Sequence, residues 1–135
     1  MLKIEHLGIA VKNLEESNQL FSKLLGKAPY KTETVESEHV NTSFFEVGES
    51  KIELLGATSE ESAIAKYIDK KGEGIHHIAF SVEDITAEVA RLKSEGFQAI
   101  SEQPKRGADN KLVFFFHPKF TNGVLIELCQ DIKNG

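Results

Sequence analysis

The sequence predicts an α+β fold made of two paired βαβββ modules, with a cleft between curved mixed sheets. Three observations predict it. The segment Ile4-Glu5-His6-Leu7-Gly8-Ile9-Ala10-Val11-Lys12-Asn13-Leu14 returns 71 positions later as Ile75-His76-His77-Ile78-Ala79-Phe80-Ser81-Val82-Glu83-Asp84-Ile85. The segment Lys51-Ile52-Glu53-Leu54-Leu55 returns 74 positions later as Leu125-Ile126-Glu127-Leu128-Cys129. Both opening segments alternate along the chain like half-buried strands, and each is followed by a helical pattern.

The elements follow in order. Leu7, Ile9 and Val11 put a first strand's apolar face on one side, with His6, Gly8 and Ala10 on the other. Asn13 is placed to cap a helix that carries Leu20, Phe21, Leu24 and Leu25 inward and stops at Gly26. Residues 40–47 and 51–55 read as strands joined by the turn Gly48-Glu49-Ser50. Ser62 to Ile68 has helical spacing, with Ile64, Tyr67 and Ile68 on one side, and stops at Gly72-Glu73-Gly74. This helix connects the halves.

The second half restarts the pattern. Ile78, Phe80 and Val82 take the core face, and Asp84 caps a helix carrying Ile85, Val89 and Leu92 to Gly96. Residues 97–101 are expected as a strand, 106–110 as a polar turn, 112–116 as a strand and 124–129 as the closing strand. The loop at residues 117–123 is longer than its counterpart, which accounts for the change of offset. The chain is thus expected to be a single domain over residues 1–135. Repeat 1 covers about 1–57, a connector helix about 58–73, and repeat 2 about 74–135.

Bulk properties narrow the function classes. The 135 residues carry a net charge of -5, which argues against general nucleic-acid binding. No apolar run has membrane-spanning length, and the start of the chain leads directly into a strand pattern, so no signal peptide is expected. One cysteine, Cys129, excludes an internal disulfide and suits a reducing compartment. The expected location is the cytoplasm.

The candidate site comes from the register of the repeat. Each sheet has one face covered by its helix, and the remaining faces must shelter each other. By parity, His6 and His77 point to that shared side, as do Glu53 and Glu127, because Ile52, Leu54, Ile126 and Leu128 occupy the other face. His76 shares a face with Ile78 and reads as a packing or surface residue. Taken singly, a histidine or a strand-borne glutamate is usually structural or solvated. Four ionisable groups in one shielded cleft are costly unless paired or bound to a cation. Two imidazoles and two carboxylates suit Co²⁺, Mn²⁺, Ni²⁺, Zn²⁺ or Fe²⁺.

At these residues the chain resembles the vicinal oxygen chelate (glyoxalase/bleomycin resistance/dioxygenase) superfamily, and within it the methylmalonyl-CoA epimerases. The likeness is carried by residues 5–11, by Ser62-Ala63-Ile64-Ala65-Lys66, and by Gly72-Glu73-Gly74-Ile75-His76-His77-Ile78-Ala79-Phe80. It continues in His117-Pro118-Lys119 and Gly123-Val124-Leu125-Ile126-Glu127-Leu128. The resemblance implies a divalent-metal isomerase that interconverts (S)- and (R)-methylmalonyl-CoA, with His6, His77 and Glu127 as ligands and a homodimeric assembly.

Some members of that family carry a glutamine at the place of Glu53 and a glutamate base near Thr42, so the second carboxylate is relocated here. Glu127 is then expected as ligand and base together, and Glu53 as ligand or second base. Lys105, Arg106, Lys111 and Lys119 are candidates for the phosphates of an acyl-CoA substrate, against the plain reading of a solvated cationic face. His117 before proline reads as structural, and Cys129 as a small filler on the side of Glu127.

Other chemistries share the pattern. A glyoxalase I type isomerase acting on a hemithioacetal uses two histidines and two glutamates. An extradiol-type dioxygenase uses Fe²⁺ with two histidines and one glutamate. A metal-free binding or resistance protein of the same fold would need none of the four.

Overall fold

The computed structural model describes residues 1–133. The chain divides into two compact units: His6–His76, and residues 1–5 together with His77 onward. Each is built on one βαβββ module, and the first strand of each module, β1 or β5, runs across the boundary between the units. The first comprises β1 (Lys3–Val11), α1 (Leu14–Leu25), β2 (Lys31–Val35), β3 (Val40–Val47) and β4 (Ser50–Ala57), followed by the connector α2 (Ala63–Lys71). The second comprises β5 (Gly74–Ser81), α3 (Ile85–Ser94), β6 (Lys105–Gly107), β7 (Lys111–Phe116) and β8 (Leu125–Asp131).

The strand orders match: β2-β3-β4-β1 in one and β6-β7-β8-β5 in the other. In both, the first and last strands of the module pair in parallel and the others are antiparallel. Phe45 lies across from Ile52, and Phe116 across from Ile126. The intervening chain is 46–51 in the first case and 117–125 in the second, so the extra residues fall between β7 and β8, as the change of offset required.

Both module helices begin at a side-chain cap. Asn13 accepts from the Glu16 amide and Asp84 from the Ala87 amide, satisfying amides that have no partner within the helix. Gly26 ends α1 at φ +74, in the left-handed region that glycine enters without a Cβ clash. Leu14, Phe21 and Leu25 press α1 onto Val11, Phe45 and Leu54. Leu20 and Leu24, expected inward, are instead 63% and 72% exposed. Phe21 and Leu25 form one i, i+4 row, and only that row reaches the sheet; Leu20 and Leu24 form the neighbouring row. In the second unit Ile85, Val89 and Leu92 of α3 pack on Val82, Phe114, Phe116 and Leu128.

The connector α2 is capped by the Ser62 hydroxyl, which accepts from the Ile64 amide. Its apolar residues Ile64, Tyr67 and Ile68 meet Ala10, Val40 and Leu55. Ala10 shares a strand face with His6, so α2 closes one end of the surface that bears the histidine.

The expected strand at 97–101 is not one. Phe97 and Ala99 plug the α3 core, and the segment makes a single bridge, Ala99 to Phe116. The Phe115 amide donates to the Ser101 hydroxyl where a ladder would use a backbone carbonyl, and pairing stops there. The edge strand is β6, which takes Arg106 and Gly107 out of the expected turn. The turn itself is the 3₁₀ segment Ala108–Asn110, with Asp109 and Asn110 at φ +58 and +54.

Candidate functional site

Each module places its candidate residues on a parallel strand pair, and the two pairs have the same register. Between β1 and β4, His6 aligns with Lys51 and Gly8 with Glu53. Between β5 and β8, His77 aligns with Leu125 and Ala79 with Glu127. In each module the residue beside the glutamate is Gly or Ala, which leaves space on that face for the carboxylate. The histidine, two residues earlier on the same face, reaches over to it.

In the first module His6 Nδ1 lies 3.0 Å from Glu53 Oε2. In the second, His77 Nε2 lies 2.9 Å from Glu127 Oε1. All four residues are between 5% and 6% exposed. Ionisable groups this deep are stable only with partners, and each module supplies an imidazole to its carboxylate. The apolar complement is as expected: Ile52 and Leu54 face α1, and Ile126 and Leu128 face α3.

An aromatic flanks each carboxylate. Phe44 on β3 is directly across from Glu53, and Phe115 on β7 is directly across from Glu127. Phe115 also meets the His77 ring edge-on, with centroids 6.0 Å apart. Thr42 pairs with Leu55 one step along the same face and is 1% exposed. Glu33 on β2 is directly across from Thr42, and Glu5, Glu53 and His6 bring their ligand atoms within 4.8 Å of one another.

The remaining candidates divide by position. Lys105 and Arg106 are exposed on β6, and Arg106 Nη1 lies 3.4 Å from Asn110 Oδ1. Lys111 is largely covered; its ammonium bonds Asp131 and lies 3.9 Å from Oε2 of buried Glu5. Lys119 is exposed on the short turn Pro118–Phe120, at the other end of β7. His76 packs edge-on against Tyr67 at 4.9 Å. His117 Nδ1 accepts from the Lys119 amide at 3.0 Å, a capping role.

Two contacts went unread in the sequence. Glu73 of the Gly-Glu-Gly run accepts from the Lys12 amide at 2.7 Å, which ties that run to the end of β1. Cys129 is more than a filler: its Sγ donates to Glu127 Oε2 at 3.1 Å. Parity with Glu127 placed the thiol on the right face, but reach depends on a rotamer that spacing does not encode.

Residues 5–115 match the model of the Glyoxalase/Bleomycin resistance protein/Dioxygenase superfamily. The chain is 39% identical to the ethylmalonyl-CoA/methylmalonyl-CoA epimerase of Cereibacter sphaeroides, over 95% of this chain and 97% of that one. It is 36% identical to the human mitochondrial methylmalonyl-CoA epimerase, over 95% of this chain and 73% of that one. The chain belongs to the methylmalonyl-CoA epimerase family of this superfamily. Among solved structures of the family, a Streptomyces coelicolor methylmalonyl-CoA epimerase variant in complex with 2-nitronate-propionyl-CoA superposes with a TM-score of 0.92. It is 33% identical, and the match covers 97% of this chain and 95% of that one. The fold is therefore the paired βαβββ fold of the family. Among the described residues no helix is long and apolar enough to cross a membrane.

Proposed function

We propose that this chain interconverts (S)- and (R)-methylmalonyl-CoA, with His6, Glu53, His77 and Glu127 holding one divalent metal ion. The observation that carries the reading is the matched register of the two buried His–Glu pairs, in a chain of epimerase lineage. The donor set fits such an ion: borderline imidazole nitrogens and hard carboxylate oxygens together suit Co²⁺, Mn²⁺, Ni²⁺, Zn²⁺ or Fe²⁺. When bound, the ion supplies Lewis acidity toward the thioester and carboxylate oxygens of the substrate.

The protein's own groups move the proton. Glu127 accepts the C2 proton at a carboxylate oxygen, and the C–H electron pair passes into the enolate. Glu53, from the equivalent strand of the other module, delivers a proton to the opposite face of C2, and the roles exchange in the reverse direction. Phe44 and Phe115 make the surroundings of both carboxylates apolar, which strengthens electrostatic contacts there.

Lys105, Arg106 and Lys119, all exposed, supply charge for the acyl-CoA phosphates. Lys111 contributes less, because Asp131 and Glu5 already share its charge. The two modules work as a single domain, the protein acts in the cytoplasm, and a homodimer is the working assembly. A net charge of -5 and a lone buried thiol agree with the compartment and with an absence of nucleic-acid partners.

The test is incubation of metal-loaded protein with (S)-methylmalonyl-CoA in D₂O, in parallel with a methylglyoxal–thiol hemithioacetal. Deuterium entry at C2 with loss of stereochemical purity is expected. Turnover of the hemithioacetal alone would replace the epimerase reading by a glyoxalase I type isomerase, which the same four donors could serve.

A further inference from the structure

We propose that Cys129 is a positioning residue that fixes how Glu127 presents its carboxylate. The inference rests on the reading of Glu127 as a metal ligand and base. The Cys129 thiol donates to Glu127 Oε2 at 3.1 Å, while Oε1 is the oxygen 2.9 Å from His77 Nε2. Each carboxylate oxygen thus has its own partner, and rotation of the group about its terminal bond would break both contacts. A thiol is a weak donor, but a carboxylate acceptor strengthens the bond, and burial removes competing water.

The donor is itself held. The Cys129 carbonyl accepts from the Val82 amide at 2.9 Å, which anchors this part of β8. Its side chain is 1% exposed and packed among Ala79, Val113 and Phe115. A site group whose supporting contact is locked by packing is preorganised.

The repeat shows that this contact is not required by the fold. The residue equivalent to Cys129 in the first module is Leu55, aligned with Ala10 as Cys129 is with Ser81. Leucine has no donor to offer Glu53. The two carboxylates are therefore made unequal: Oε2 of Glu127 is engaged by the thiol, and Oε1 is the oxygen presented with His77. Glu127 is thereby the carboxylate steadied by a thiol, a contact that Leu55 cannot repeat in the first module.

The experiment compares wild type with Cys129→Val, Cys129→Ala and Cys129→Ser. Each is titrated with Co²⁺ against a chromophoric chelator. Loss of an outer contact to a metal ligand typically weakens affinity about 10- to 100-fold. That loss is expected for valine and alanine, with serine, which restores a donor, recovering most of it. A packing role predicts the opposite order, because valine fills the apolar pocket and a hydroxyl does not.

The second readout uses the wild-type chain, whose single cysteine gives one S–H stretching band in the infrared. The band is expected at the lowered frequency of a bonded thiol and should rise in Glu127→Gln. Valine or alanine variants that hold Co²⁺ as tightly as wild type, or an S–H band unmoved by Glu127→Gln, would overturn the proposal. A wild-type chain that binds no divalent ion would instead overturn the metal reading on which it stands.

Discussion

Replacing Glu53 by glutamine keeps the shape of the side chain and an acceptor for His6 but removes the charge and the capacity to carry a proton. The structural cost is small. The pair is buried with 3.0 Å between His6 Nδ1 and Glu53 Oε2, and an amide can hold the same contact. Exchanging a charged for a neutral hydrogen bond costs about 1 kcal/mol of stability. The catalytic cost is larger: a lost general acid or base slows turnover by roughly 10²- to 10⁴-fold, or about 3–5 kcal/mol of barrier at 1.36 kcal/mol per decade.

Because Glu53 is also proposed as a metal ligand, the two costs are separated in one assay run at a Co²⁺ concentration that saturates the variant. Single-isomer methylmalonyl-CoA is incubated in D₂O, C2 deuteration is followed by NMR, and inversion is followed by chiral separation of the thioesters. With Glu53 gone, Glu127 still serves one face of C2. One isomer should therefore continue to exchange its C2 proton while inversion falls by the full factor. Inversion at the wild-type rate, or exchange lost in step with inversion for both isomers, would refute the assignment of one carboxylate to each face.

Other substitutions test the frame and the rim. Leu54 is fully buried beneath α1 against Val11 and Phe45, so Leu54→Ala should cost about 2–5 kcal/mol in urea unfolding with an unchanged slope. Leu24→Ala, on the exposed row of the same helix, should stay within about 0.5 kcal/mol, and equal losses would contradict the packing described. Charge reversal at Lys105, Arg106 or Lys119 should raise KM for the acyl-CoA more than it lowers kcat, and added salt should shrink the difference; a kcat effect alone would remove the residue from phosphate contact. Lys111→Met should act on stability instead, by about 0.5–1.5 kcal/mol in the same unfolding assay, because the ammonium no longer stands beside the buried Glu5 carboxylate.

Much of the architecture was legible because duplication made the sequence test itself. The alternation at residues 6–11 and 77–82 set His6 and His77, rather than His76, on the side of Glu53 and Glu127; that each histidine pairs with the glutamate of its own module emerges only in the structure. The helix caps at Asn13 and Asp84 were readable because capping is a local event. Less local features were not. β2 is Lys31-Thr32-Glu33-Thr34-Val35, an exposed edge strand with little apolar signal, and its pairing with β3 supplies what its composition does not. The segment at 97–101 has strand-like apolar spacing, yet those residues are spent on the α3 core. Leu20 and Leu24 could be excluded from the interior only by knowing which row of α1 meets the sheet. The Cys129–Glu127 bond lies beyond pattern altogether, since it depends on side-chain reach.

A single metal ion shared by the two equivalent His–Glu pairs is the arrangement proposed for this chain. Co²⁺ binding by equilibrium dialysis, on wild type and on His6→Ala and His77→Ala, tests it most directly. One ion per chain is expected, with tight binding lost in either variant. Two ions per wild-type chain, or undiminished binding after the loss of one histidine, would show that the modules bind separately and would contradict it.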